Sequence, residues 1–192
     1  MPRDLHPFSD RLTAPLTGIT DEKGVRFATF GYDGSGRVDA VELAGGEYDY
    51  GVSYGTNDST VTNPLGKAFT YRYRNIRDVR RIVQIDGAST ANTPAASRYF
   101  NYDSLGRLIG MTDWENRTTR YEYDSRSNVT RITEAEGTAD QRVTTISYIA
   151  DFNLPDLVTT PGGLTIDYDY DVYGRLTTKT LTAKPGPAGP EG

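Results

Sequence analysis

The chain contains no cysteine, a single histidine and a single tryptophan in 192 residues. Without thiols these residues form no disulfide, no thiolate metal centre and no cysteine nucleophile. No stretch approaches the ~18 apolar residues needed to span a membrane. The opening Met1-Pro-Arg-Asp-Leu-His6-Pro7 lacks the apolar core of a signal peptide, so export by another route, or an internal fragment behind an added Met, is expected. His6 has no serine nucleophile or metal-ligand companion nearby and reads as solvent-exposed. Helical periodicity is missing too; the best candidate, Pro94 to Ser97, is too short. There is no basic stripe, since 21 basic residues are interspersed among 26 acidic ones for a net charge of -5. The nearest run, Arg72 to Arg81, holds five arginines in ten residues, which strand alternation divides between two faces. Nucleic acid is therefore not an expected partner.

What the chain has is tyrosine, glycine and a repeat. Fourteen Tyr stand against 6 Phe, with 20 Gly and 10 Pro, a profile of half-buried strands and frequent turns. Three copies of one unit stand out: Phe30-Gly-Tyr32-Asp33-Gly-Ser-Gly36-Arg37-Val38, Phe100-Asn-Tyr102-Asp103-Ser-Leu-Gly106-Arg107-Leu108 and Tyr168-Asp-Tyr170-Asp171-Val-Tyr-Gly174-Arg175-Leu176. A fourth, Tyr121-Glu-Tyr123-Asp124-Ser-Arg-Ser-Asn128-Val129, has Ser-Asn in place of Gly-Arg. Degenerate copies surround Tyr54, Tyr73 and Tyr148. The seven key tyrosines are separated by 22, 19, 29, 21, 25 and 22 residues. A period of about 21 with loop insertions is the simplest account.

Each unit reads as a β-hairpin. Aromatic-x-Tyr places two rings on one strand face. The Asp after Tyr opens the turn by accepting backbone N–H bonds, and the Gly three residues later suits a type I turn closed by a G1 bulge, which needs positive φ. In the fourth copy Asn128 is expected to supply that conformation, because Asn tolerates the left-handed region. After Arg, a Val or Leu resumes the strand. Thr20 to Phe27 and Thr112 to Tyr121 read as second turns leading into the next strand. Tight turns between consecutive strands make an antiparallel meander. Asp86 to Ser97 is the one long polar insertion, expected as a mobile surface loop containing Gly87.

The tandem Tyr-Asp-x-x-Gly-Arg-Leu units resemble the rearrangement-hotspot (Rhs), or YD-repeat, family of polymorphic toxin carriers, toxin-complex subunits and teneurins. The resemblance covers about residues 15–182. It implies an all-β fold of tandem antiparallel hairpins in a curved or spiral meander, part of a hollow shell around a toxic polypeptide. It implies a non-catalytic structural role, with further YD repeats or other chains on the sheet edges, a toxin cargo, and a secreted or particle-associated location. The family's self-cleaving end looks like Asp-Pro-x-Gly; Asn63-Pro64-Leu65-Gly66 is similar but lacks the first carboxylate. Residues 1–14 read as an irregular lead and 183–192 as a Pro/Gly-rich tail. In that tail Gly186, Gly189 and Gly192 recur every third residue, the spacing of a collagen-like triple helix. A homotrimeric phage tail-tip or fibre component is thus an alternative, and a carbohydrate- or receptor-binding module is another.

Other candidate sites are few. Asp167, Asp169 and Asp171 alternate along a strand, and like charges so placed invite a cation such as calcium. The repeat accounts for them equally well. Trp114, in a turn, is the aromatic best suited to stacking on a sugar. Gly34-Ser35-Gly36 precedes no helix and is no phosphate loop. Three N-glycosylation triplets, at Asn57, Asn116 and Asn128, are short enough to arise by chance. No catalytic, cofactor-binding or metal-ligating residue is expected.

Overall fold

The structure is a computed structural model and describes residues 15–44 and 49–184. His6, the N-terminal lead and the Gly-x-y tail beyond Lys184 lie outside the described residues. Among the described residues there is no helix. Fifteen strands follow one another in an antiparallel sheet whose spatial order is the chain order, a pure meander. Short connections leave each strand no partner nearer than the one just made.

The chain divides into two compact units, 1–71 with 87–95, and 72–86 with 96–192. The first contains β1 (Gly18–Thr20), β2 (Arg26–Tyr32), β3 (Val38–Leu43), β4 (Tyr50–Tyr54), β5 (Asp58–Thr62) and the start of β6 (Ala68–Ile76). The second takes the rest of β6 and nearly all of β7 (Val79–Gly87). It continues with β8 (Ala96–Tyr102), β9 (Leu108–Thr112), β10 (Thr118–Tyr123), β11 (Val129–Glu134) and β12 (Arg142–Tyr148). It ends with β13 (Pro155–Thr159), β14 (Thr165–Tyr170) and β15 (Leu176–Thr182).

Register sorts the residues into two faces. In the first unit Phe30 opposes Val41, Val41 opposes Tyr50, and Val52 opposes Val61. In the second, Phe100 opposes Met111 and Met111 opposes Thr119. Ile146, Val158, Ile166 and Leu181 oppose one another in turn across β12 to β15. The other face is polar, as in the row Arg131, Thr145, Thr159, Thr165 and Thr182. Each such cross-strand pair contributes roughly 0.2–1 kcal/mol.

The length of the chain allows for a buried core, but none forms among the described residues. Ala28 is the sole hydrophobic residue classed as buried, joined by Ser59 and Thr133, and no large side chain is fully covered. A sheet buries its apolar face only against a second layer, and among the described residues neither unit folds one over itself. The motif tyrosines remain half-buried or exposed. Half-covering a Tyr contributes about 2–3 kcal/mol gross, half the figure for full burial.

Two local expectations are corrected. Asp86 and Ser97 are strand residues, and so is Gly87, which is buried. The Asp86 carboxylate accepts from Arg72 Nε at 2.8 Å, Gln84 Nε2 at 2.6 Å and Ser97 Oγ at 2.7 Å. These bonds close the base of the insertion and shorten the loop to 88–95, where Thr90 and Thr93 bridge. In the fourth repeat the left-handed residue is Ser127, at φ 70, not Asn128. Asn128 occupies the arginine position, and its Nδ2 donates to Asp124 Oδ2 at 3.0 Å. Hydrogen bonding to Asp fixes Asn128 there and leaves Ser127 the strained conformation.

Candidate functional site

The recurring Asp turn organises everything else. Asp103 N–H donates to Arg107 O at 3.0 Å and Gly106 N–H to Asp103 O at 3.0 Å, while Gly106 holds φ 79. The Asp103 side chain then accepts from Leu105 N at 2.9 Å, Arg107 N at 2.9 Å and Arg107 Nε at 2.7 Å. The pattern repeats at Asp33/Arg37, Asp113/Arg117 and Asp171/Arg175. At Asn63 the amide oxygen takes the same two backbone bonds, from Leu65 and Lys67. Asn63-Pro64-Leu65-Gly66 is therefore an ordinary turn of this kind, with Gly66 at φ 76.

These contacts hold the turn carboxylates ionised. The backbone N–H of Arg37 is the largest influence lowering Asp33, with the Arg37 guanidinium next. At Asp103 partial burial pushes the pKa up most strongly, but the hydrogen bonds from Arg107 and Leu105 together outweigh it and the net shift is downward. Asp124 behaves likewise through Asn128. Carboxylates so arranged are poor proton donors near neutrality.

Five tyrosine hydroxyls also reach back to the preceding unit. Tyr123 donates its hydroxyl to Leu108 O at 2.7 Å, and Leu108 is the residue that opposes Tyr102. Tyr148 does the same to Val129 O at 2.9 Å, and Val129 opposes Tyr123. Tyr54 reaches Val38 O at 2.7 Å, and Val38 opposes Tyr32. Tyr32 and Tyr102 complete the series at Leu16 O and Ile82 O. Burial raises the pKa of Tyr123 and Tyr148, which keeps both hydroxyls protonated as donors. The motif arginine covers the same ring: Arg107 lies 4.7 Å from the centre of Tyr123, and Arg37 4.3 Å from that of Tyr54. Sequence reasoning gave neither the hydroxyl nor the guanidinium this role. The signal was present in the constant four-residue step from Asp to Arg.

The other candidates fare differently. β14 ends at Tyr170, so Asp167 and Asp169 stay exposed on the strand while Asp171 belongs to the turn. The Asp171 carboxylate is engaged by Tyr173 N, Arg175 N and Arg175 Nε. Among the described residues no group of three or more His, Asp or Glu side chains is arranged to hold a metal ion. Trp114 is partly buried with the Arg98 guanidinium 5.9 Å from its ring centre. Four arginines of the 72–81 run flank the β6–β7 turn, in which Arg77 and Asp78 take positive φ. Arg80 covers Tyr73 and Arg81 covers Tyr102. A cleft of about 630 Å³ is lined by Asp113, Arg117, Glu134, Asp140, Gln141 and Arg142. Two of its acids are ion-paired, Asp113 to Arg117 at 2.8 Å and Glu134 to Arg142 at 3.4 Å. A second cleft of about 460 Å³ lies beside Asp151, Asp156, Asp169, Tyr168 and Tyr170. No helix of the described residues is long and apolar enough to cross a membrane.

The family model RHS Repeat matches residues 102–139, which contain the Tyr102–Arg107 turn, the Asp113 turn and the Tyr123 relay. Residues 102–139 thus carry an Rhs (YD) repeat. The fold agrees. The crystal structure of TcdB2-TccC3-Cdc42 superposes with a TM-score of 0.63 at 14% identity, over 87% of this chain and 10% of that one. The crystal structure of TcdB2-TccC3 without hypervariable C-terminal region gives 0.63 at 13% identity, over 86% and 10%. The chain spans about a tenth of the length of those it matches, and the likeness is one of fold. The chain is all-β throughout its described residues.

Proposed function

We propose that this Rhs segment is a non-catalytic stretch of β-shell that encloses or presents a polypeptide cargo, in a secreted or particle-associated protein. One observation carries the reading. The sheet exposes an apolar face rich in Tyr, Phe, Ile and Val with no layer folded over it among the described residues, while the motif Asp and Arg are engaged in turns. Uncovered apolar surface on this scale marks an interaction surface. A shell segment needs such a face, and a broad, weakly specific lining suits an unfolded chain. The alternatives have less support, because Trp114 is covered on one side by Arg98 and the collagen-like spacing lies outside the described residues.

Site-specific crosslinking tests the proposal. A photoreactive side chain replaces Ile146 on the apolar face, or Thr145 on the polar one, and an unfolded polypeptide such as reduced casein is added. Capture from position 146 and not from 145 is expected. Equal capture, or capture only from 145, defeats the reading.

A further inference from the structure

We propose that two half-buried guanidinium groups on the apolar face, those of Arg81 and Arg98, form an anion site for the carboxylates of an extended, acidic and apolar polypeptide segment. The inference rests on the shell reading above and names the polypeptide chemistry that the face selects. Both arginines belong to the second unit. Arg98, Phe100 and Tyr102 alternate along β8 and so share a face, on which Phe100 opposes Met111. The Arg98 guanidinium lies 5.4 Å from the centre of the Phe100 ring and 5.9 Å from that of Trp114. That of Arg81 lies 5.4 Å from the centre of the Tyr102 ring.

Neither cation is matched by a carboxylate among the described residues, and the Nε of each is buried without a hydrogen-bond acceptor. Arg98 Nη2 meets the thioether of Met111 at 3.1 Å, a weak acceptor. Arg81 stands before Ile82, whose carbonyl accepts the Tyr102 hydroxyl, as Arg107 stands before Leu108. It is the motif arginine of the degenerate Tyr73 unit, but Arg77 stands where the motif has Asp. The Nε that Arg107 donates to Asp103 at 2.7 Å is thus left over in Arg81. The turn carboxylates on either side of β9 are committed, Asp103 to Arg107 and Asp113 to Arg117. A partly buried charge without a counter-charge is costly, and a carboxylate presented to the guanidinium edge relieves it. Phe100, Tyr102 and Met111 offer apolar contact to the residues beside that carboxylate. Phe100 and Tyr102 lie two residues apart, roughly 7 Å along the strand, the interval between alternate side chains of an extended peptide. The chain's net charge of -5 opposes an acidic ligand at long range, so the attraction acts at contact.

The probe is an end-blocked peptide, Gly-Glu-Leu-Glu-Phe-Glu-Gly, compared with versions carrying Gln or Lys at all three Glu positions. Trp114 is the single tryptophan of the full 192-residue chain, so its emission reports occupancy beside Arg98. A saturable change is expected with the Glu peptide, about fivefold weaker with the Gln peptide and absent with the Lys peptide. Arg98→Met and Arg81→Met should each bring the Glu and Gln peptides to nearly equal affinity. Using that ratio cancels any general loss of stability in a variant. Arg142→Met, in the polar cleft, should leave the ratio unchanged. No saturable change, equal affinity of the unaltered chain for the Glu and Gln peptides, or a ratio untouched by either substitution overturns the proposal. Failure here with capture from position 146 intact removes the anion site alone and leaves the shell reading standing.

Discussion

Tyr123 donates to the carbonyl of Leu108 at 2.7 Å, and Leu108 is the residue paired with Tyr102 at the previous turn. Tyr54, Tyr123 and Tyr148 each fasten themselves in this way to the closure of the hairpin before them. The repeat is a chain of latches, and local contacts with neighbours carry the stability, as in other repeat arrays.

Removing one latch should cost about 1 kcal/mol. Tyr123→Phe deletes the hydroxyl and leaves the ring, so the loss is that of a single hydrogen bond. Arg107→Ala should cost more, because it removes the bond to Asp103 and the cover on Tyr123. The double variant should fall short of the sum, since both act on the same ring. Urea denaturation of the four proteins measures this. Strict additivity with a neutral Tyr123→Phe would refute the latch.

Turn glycines should be sharply unequal. Gly106 holds φ 79, and a Cβ there would stand 3.3 Å from Arg81 NH2. Gly106→Val should destabilise by about 1–3 kcal/mol. Gly34→Val should matter far less, because Gly34 has ordinary φ and open space around a Cβ. Similar melting shifts for the two would contradict the turn geometry.

Ser127→Gly should stabilise. Ser127 sits at φ 70 where three sister repeats use Gly, a conformation costing an L-residue about 1 kcal/mol. Its hydroxyl loses only a 3.3 Å contact from Arg107 NH1. Asn116→Gly, at φ 61, should change stability less, because Asn tolerates the region. Thermal melting decides, and a lower melting temperature for Ser127→Gly counts against the assignment.

Acid should loosen the turns. The folded-state pKa values of Asp33, Asp103, Asp113, Asp124 and Asp171 are all lowered. A depressed carboxylate contributes stability that is present above its unfolded pKa, about 4, and is lost as pH falls through the folded value. The melting temperature should therefore be flat with respect to these groups above about pH 5 and decline below pH 4. Asp103→Asn should flatten part of that decline. A profile that rises on acidification would show that the carboxylates are not held by their turns.

The sequence determined the hairpins. Tyr-Asp-x-x-Gly-Arg encodes its own turn, since Asp33, Asp103 and Asp171 each bond to residues two and four positions on, and a local motif needs no distant partner. The all-β meander followed, because tight turns leave only sequential pairing. Tertiary structure decided what lies between units. Whether a Tyr hydroxyl meets Leu108, whether Arg107 covers Tyr123, and whether Asp86 locks Arg72, Gln84 and Ser97 depend on strand register, which the spacing of repeats left open. It decided the fourth turn, where competition for Asp124 put Asn128 in the arginine's place and strain on Ser127. It also decided the cover of the apolar face: alternation gives one such face, but only packing determines what covers it, and among the described residues nothing does.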